Sequence, residues 1–249
     1  MVRRSKRSDP EKLRERLVNL LINFKDELKK PEIRSKVIAL IPAYHILRDL
    51  GSSLIPESDA NSARDRILYY LLKYPRKIIK GEELMVVAGV GEWARRVREL
   101  RVEFGWSVAT GYTIKEMADE EEFETPEISI SDLSPDDYVL LSEDQDRDAA
   151  YRWNVANQIR KKKDLSVRDK ILEYLKANVG KPITGEELRY VANNRTEWAR
   201  RVRELRTEYG WLVTTKFTGR PELAVGSYVL EQDRQLPVHD RRIPDRVDA

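Results

Sequence analysis

The decapeptide EWARRVRELR (92–101) recurs letter for letter at 197–206. Coiled as a helix, it sets Trp93, Val97, Leu100 and Phe104 on one face, and Trp198, Val202, Leu205 and Tyr209 repeat that stripe. This face predicts core. Arg95, Arg98, Glu99 and Val102 point the other way, as do Arg200, Arg203, Glu204 and Thr207, while Arg96, Arg101, Arg201 and Arg206 flank the stripe. A solvated helix face tolerates drift, so identity there asks for packing or a ligand as its cause.

Outward from the decapeptide the likeness continues. At an offset of 104 positions, residues 62–84 lie on 166–188; one extra residue then enters, and 92–108 lie on 197–213. The match is looser between 136–145 and 226–235. Each copy starts with Ser-x-x-Asp (Ser62, Ser166), the pattern of a capped helix start. Ile67, Leu68, Leu71 and Leu72, or Ile171, Leu172 and Leu175, mark the buried face of that helix. A short extended piece (77–79; 181–183), a second short helix, a tight turn and the repeated helix follow, ending near Gly105 and Gly210. WSVAT and WLVTT, then YVLLS and YVLE, read as strands. The predicted fold is mainly α with small β-hairpins: two tandem winged helix-turn-helix domains at 59–142 and 165–236.

The flanks read differently. Residues 1–58 combine a basic arm (Arg3, Arg4, Lys6, Arg7) with two helices, the second interrupted or restarted at Pro42. These helices are expected to pack on the first winged helix or to form a homodimer contact with a second copy. Residues 143–164 predict a helical linker ending in Lys161, Lys162 and Lys163, and 237–249 a tail without core pattern.

Composition narrows the chemistry. The net charge is +3 although 36% of the 249 residues are charged, so distribution matters more than total. There is no cysteine, no phosphate-cradling glycine loop and no apolar run long enough to cross a bilayer, which predicts a cytoplasmic protein. With His45 and His239 alone, no zinc site, metal, cofactor or catalytic residue is expected, and His45 is expected to pack in a helical core.

What remains is binding. The third helix of a helix-turn-helix enters the major groove, and arginine's planar fork suits guanine edges and phosphates alike. Arg95, Arg96, Arg98, Arg101, Arg200, Arg201, Arg203 and Arg206 are therefore candidates for contact with double-stranded DNA. Copy-specific candidates are Asn193, Asn194 and Arg195 in the turn NNRT, where the first copy has GVG (89–91), and Thr207 in place of Val102. The asparagines can read bases or only shape the turn. Lys216 and Arg220 make the second wing basic, whereas the first wing (111–135) carries EMADEEEFE (116–124), which repels phosphate and is expected to be solvated or to bind a protein partner.

ARDRILYYL, GEELMVVAGVGEWARRVRELRVEFGW, GEELRYVANNRTEWARRVRELRTEYGW and HDRRIPDRV resemble the amino-terminal DNA-recognition half of prokaryotic restriction endonucleases that carry a carboxy-terminal HNH nuclease domain. The resemblance spans most of residues 40–247. It implies target recognition in a restriction system, with the nuclease module supplied in cis or in trans. Because that module is absent before Ala249, a truncated chain or a stand-alone relative is expected. Recognition of a methylated base, with Trp106 and Trp211 as stacking candidates, is a refinement. A transcriptional or replication regulator and a protein-interaction scaffold are the alternatives.

Overall fold

The computed structural model describes residues 9–237, so the basic arm and the tail with His239 lie outside the described residues. The chain is mainly helical with small antiparallel strand pairs, as predicted. Its described residues divide into two compact units, residues 9–73 with 81–99 and residues 74–80 with 100–237.

In the first unit, α1 (Pro10–Glu27) starts where the Asp9 side chain accepts the Glu11 N–H at 2.8 Å, with proline in the first turn. Helix α2 (Ile33–Ser53) runs on through Pro42, contrary to the predicted interruption. Proline removes one backbone hydrogen bond, and the buried Ala43 and Ile46 just beyond it anchor the helix regardless. His45 is exposed on this helix rather than packed in a core. Helix α3 (Ala63–Lys73) has the predicted cap: Asp65 N–H donates to Ser62 Oγ at 3.1 Å, and Ser62 N–H donates to the Asp65 carboxylate at 3.0 Å.

Helix α4 (Gly81–Ala88) buries Leu84, Val87 and Ala88. It approaches α2 so closely that a Cβ on Gly51 would lie 2.6 Å from the Val86 carbonyl oxygen. The buried Arg66 donates to the carbonyls of Val87 and Ala88, and Arg48 donates to that of Gly89 at 3.0 Å. Two guanidiniums thus satisfy carbonyls at the negative end of α4. Helix α5 (Trp93–Val102) follows, and the division between units falls after Glu99.

The second unit continues with β1 (Val108–Thr110), α6 (Gly111–Asp119), a short 3-10 turn (Ile130–Asp132), β2 (Tyr138–Leu140) and α7 (Ala149–Arg160). Then come α8 (Val167–Lys176), β3 (Ile183–Thr184), α9 (Gly185–Val191), α10 (Trp198–Thr207), β4 (Trp211–Thr215) and β5 (Ser227–Gln235). Strands β1 and β2 pair antiparallel, and Ile79 bridges to Tyr138 on the other side of β2. The second sheet has the order β3-β5-β4. Both copies therefore place the strand that precedes their second helix against the last strand of the hairpin.

Trp198, Tyr174, Tyr228, Leu188 and Val213 are fully buried here, in one cluster with Ile114 and Met117 of α6. A Cβ on Gly185 would lie 2.7 Å from Met117 Sδ, so glycine permits the approach of α9 to α6. Helix α6 occupies what the sequence predicts as an irregular loop; the Thr110 side chain caps it by accepting the Thr113 N–H.

Candidate nucleic-acid interface

The third helices hold their arginines in matching ways. On α5, Arg95 Nε lies 3.3 Å and Arg96 Nη1 2.6 Å from the Glu99 carboxylate. On α10, Arg200 Nε and Arg201 Nη1 lie 3.3 and 2.6 Å from Glu204. Hydrogen bonding from Arg96 and from Arg201 holds both carboxyls below the usual range. The guanidiniums of Arg95 and Arg200 stay largely in solvent, and such exposed pairs hold a side chain only weakly. Arg98 is exposed and has no ion pair among the described residues, whereas its counterpart Arg203 sits 2.8 Å from Glu120.

Arg101 and Arg206 do not flank the helices with free guanidiniums, as predicted; each is held in a carboxylate notch inside the second unit. Arg101 Nη1 meets Glu186 at 2.8 Å, and the other oxygen of Glu186 accepts the Thr110 N–H and the hydroxyls of Thr110 and Thr113 at 2.6–2.7 Å. Arg206 Nη2 meets Glu122 at 2.6 Å, and Glu122 also accepts the Thr215 hydroxyl at 2.9 Å.

The two notches are equivalent, because Arg101 and Thr110 match Arg206 and Thr215 at the repeat offset. The glutamates come from the opposite copies: the second copy's α9 fills the first notch, and the segment after α6 fills the second. Burial pushes the Glu186 carboxyl up, but the Arg101 charge and the threonine hydrogen bonds outweigh it and hold it below the usual range.

The acidic block is therefore only partly solvated: Asp119, Glu121 and Glu124 are exposed, but the other three glutamates are engaged. Glu116 accepts the Glu197 N–H just before α10 at 2.9 Å, Glu120 meets Arg203, and Glu122 is buried with Phe123. Burial pushes the Glu120 carboxyl up, although Arg203 opposes it. These contacts neutralise one flank of α10.

In the turn before α10, Asn193 and Asn194 are exposed with φ of 61° and 55°, left-handed backbone that asparagine tolerates better than most residues. Their N–H groups close α9 on the carbonyls of Tyr190 and Arg189, so the turn-shaping role is realised. Arg195 is exposed beside them, and Thr207 donates back to the Arg203 carbonyl at 3.0 Å. On the second wing, Lys216 is half-buried and Arg220 pairs with Glu222 at 2.9 Å. Trp211 is a core residue covered by Lys176, and Trp106 is half-buried on a cavity of about 310 Å³. The sequence does not show the roles of these acidic residues because their partners lie more than 70 positions away. No helix among the described residues is long and apolar enough to cross a membrane.

A family model described as the KpnI N-terminal domain matches residues 64–141 and 168–231, one block per copy and more than half of the chain. No curated protein and no solved structure matches.

Proposed function

The chain belongs to the KpnI N-terminal domain family, an amino-terminal region of restriction endonucleases, and from that membership we propose that it recognises specific sequences in double-stranded DNA for a restriction-type endonuclease. Each copy acts as a winged helix whose third helix, α5 or α10, lies in the major groove. The carrying observation is the twin arrangement on these helices: Glu99 and Glu204 hold Arg95 with Arg96 and Arg200 with Arg201 in one posture in both copies. The Arg95 and Arg200 side chains are 67% and 49% exposed, so a phosphate or a guanine edge can reach them beside the carboxylate.

Arg98 and Arg203 contact bases, Asn194 adjusts preference in the second copy, and cleavage comes from an HNH module in cis or in trans. Reading of a methylated base is a refinement of the same activity. The test is selection of bound duplexes from random and methylated pools, followed by binding against salt. A common sequence among selected duplexes and a steep salt dependence are expected; recovery of unselected sequence with salt-independent affinity overturns the proposal.

The proposal extends to a homodimer through the N-terminal helices. On α2, Ile33, Val37, Leu40, Tyr44 and Leu47 follow a 4-3-4-3 spacing, and all are 43–77% exposed. That is the a/d spacing of a helix–helix seam, and a second α2 is a partner of matching shape. Two copies so joined present paired recognition helices to a palindromic site.

A further inference from the structure

Between α7 and α8, Arg160, Lys161, Lys162, Lys163, Lys170 and Arg195 line an open cleft of about 720 Å³. Lys162 pairs with Glu173, Lys170 donates to the Arg160 carbonyl at 2.9 Å, and Arg160 lies over the Tyr190 ring. Lys161, Lys163 and Arg195 are exposed and have no ion pair among the described residues. Of the six cations lining the cleft, only Lys162 has an ion pair among the described residues. Its crowding of like charges carries an electrostatic cost that a bound polyanion relieves. The wall also includes Ser166 and Val167, the cap and the first residue of the ten-residue α8, whose positive dipole end adds to the same field.

The repeat supplies an internal comparison. At the offset of 104, Lys161, Lys162 and Lys163 fall on Glu57, Ser58 and Asp59, and Arg195 stands where the first copy has only Val90 and Gly91 before Glu92. The matching depression of the first copy, about 400 Å³, is lined by Arg64 and Arg96 together with Glu92 and Glu99. In the first copy, two glutamates accompany the two arginines of this hollow. Lys161, Lys163 and Arg195 are additions of the second copy.

We propose that this cleft is a phosphodiester-binding site that grips the DNA backbone beside the turn preceding α10, with Lys161, Lys163 and Arg195 as its phosphate contacts. The site rests on the DNA-binding function proposed above and makes the second copy the anchor of the complex. It carries no sequence preference itself, since a phosphate contact positions the protein without reading a base.

The experiment compares the full chain with K161Q/K163Q and with R195Q on selected duplexes and on random 25-mers, about two turns of helix, at several salt concentrations. All three substitutions lie on exposed side chains, and thermal melting checks that the fold is unchanged. The double variant is expected to bind both duplex classes on the order of 10–100-fold more weakly and to lower the salt slope by about 2; R195Q lowers it by about 1. Unchanged slopes with a binding parent chain overturn the cleft and leave DNA recognition standing. A parent chain that binds no duplex overturns both. Competition by tripolyphosphate at concentrations matching duplex phosphate assigns the cleft to small polyphosphates and also overturns the proposal.

Discussion

Glu186→Gln is the substitution that most directly probes the linked notches. Glu186 is buried, and its two oxygens hold the Arg101 guanidinium, the Thr110 N–H and two threonine hydroxyls. Glutamine keeps one acceptor oxygen but removes the charge and leaves Arg101 facing an N–H₂ group. Breaking one partner of a buried pair costs about 3–5 kcal/mol. The Arg101 side chain retains 16% exposure, which lets some water reach it, so the lower end applies. A loss of about 3 kcal/mol lowers Tm by about 6–12 °C in a domain of this size. The control lies in the chain: Glu82 holds the same position in the first copy but is exposed, and Glu82→Gln should stay within about 0.5 kcal/mol.

The pH dependence adds a second signature. Glu186 titrates below its unfolded value, so its stabilisation is complete above the unfolded carboxylate pKa of about 4.3 and disappears as pH falls through the depressed folded value. The gap between the parent chain and Glu186→Gln should therefore be constant near neutrality and close in acid. Calorimetry and urea melts of the full chain measure both effects. Equal stabilities for Glu186→Gln and Glu82→Gln would refute the notch as a structural tie, whatever the distances.

Replacing Val37 and Tyr44 by glutamate on the exposed stripe of α2 should convert a sedimenting dimer to a monomer without lowering Tm; a parent chain that sediments as a monomer at micromolar concentration removes the seam. Glu120→Gln should strengthen duplex binding several-fold by releasing Arg203, measured by fluorescence anisotropy at fixed salt. At the left-handed Asn194, alanine should cost about 1 kcal/mol while glycine is tolerated, read in urea melts; a shifted base preference in duplex selection for both variants would show that the side chain also reads DNA.

What was legible in the sequence was local or repeated. Ser62 with Asp65 and Ser166 with Asp169 mark helix starts because the cap is closed within four residues. Trp198, Val202 and Leu205 are buried because a helical stripe needs only its own spacing to be seen. Helix α6 was not legible. Its apolar Ile114 and Met117 adjoin a run of glutamates that reads as solvated unless cations cover it, and those cations, Arg203 and Arg206, lie more than 80 positions later. Periodicity contains no information about such partners.

The same blindness assigned all eight arginines of the repeated helix to one cause, and the structure separates them. Arg101 and Arg206 are identical because each must fill a notch with a glutamate from the other copy. Arg95, Arg96, Arg200 and Arg201 are ordered by glutamates one helical turn away. Arg98 and Arg203 have no such shared explanation, since Glu120 serves only the second and nothing among the described residues pairs with the first. A carboxylate thus accompanies the other six arginines in both copies, and Arg98 with Arg203 is the outward position without a shared one, so the loss of duplex affinity on Arg98→Ala, read by fluorescence anisotropy, should be the largest.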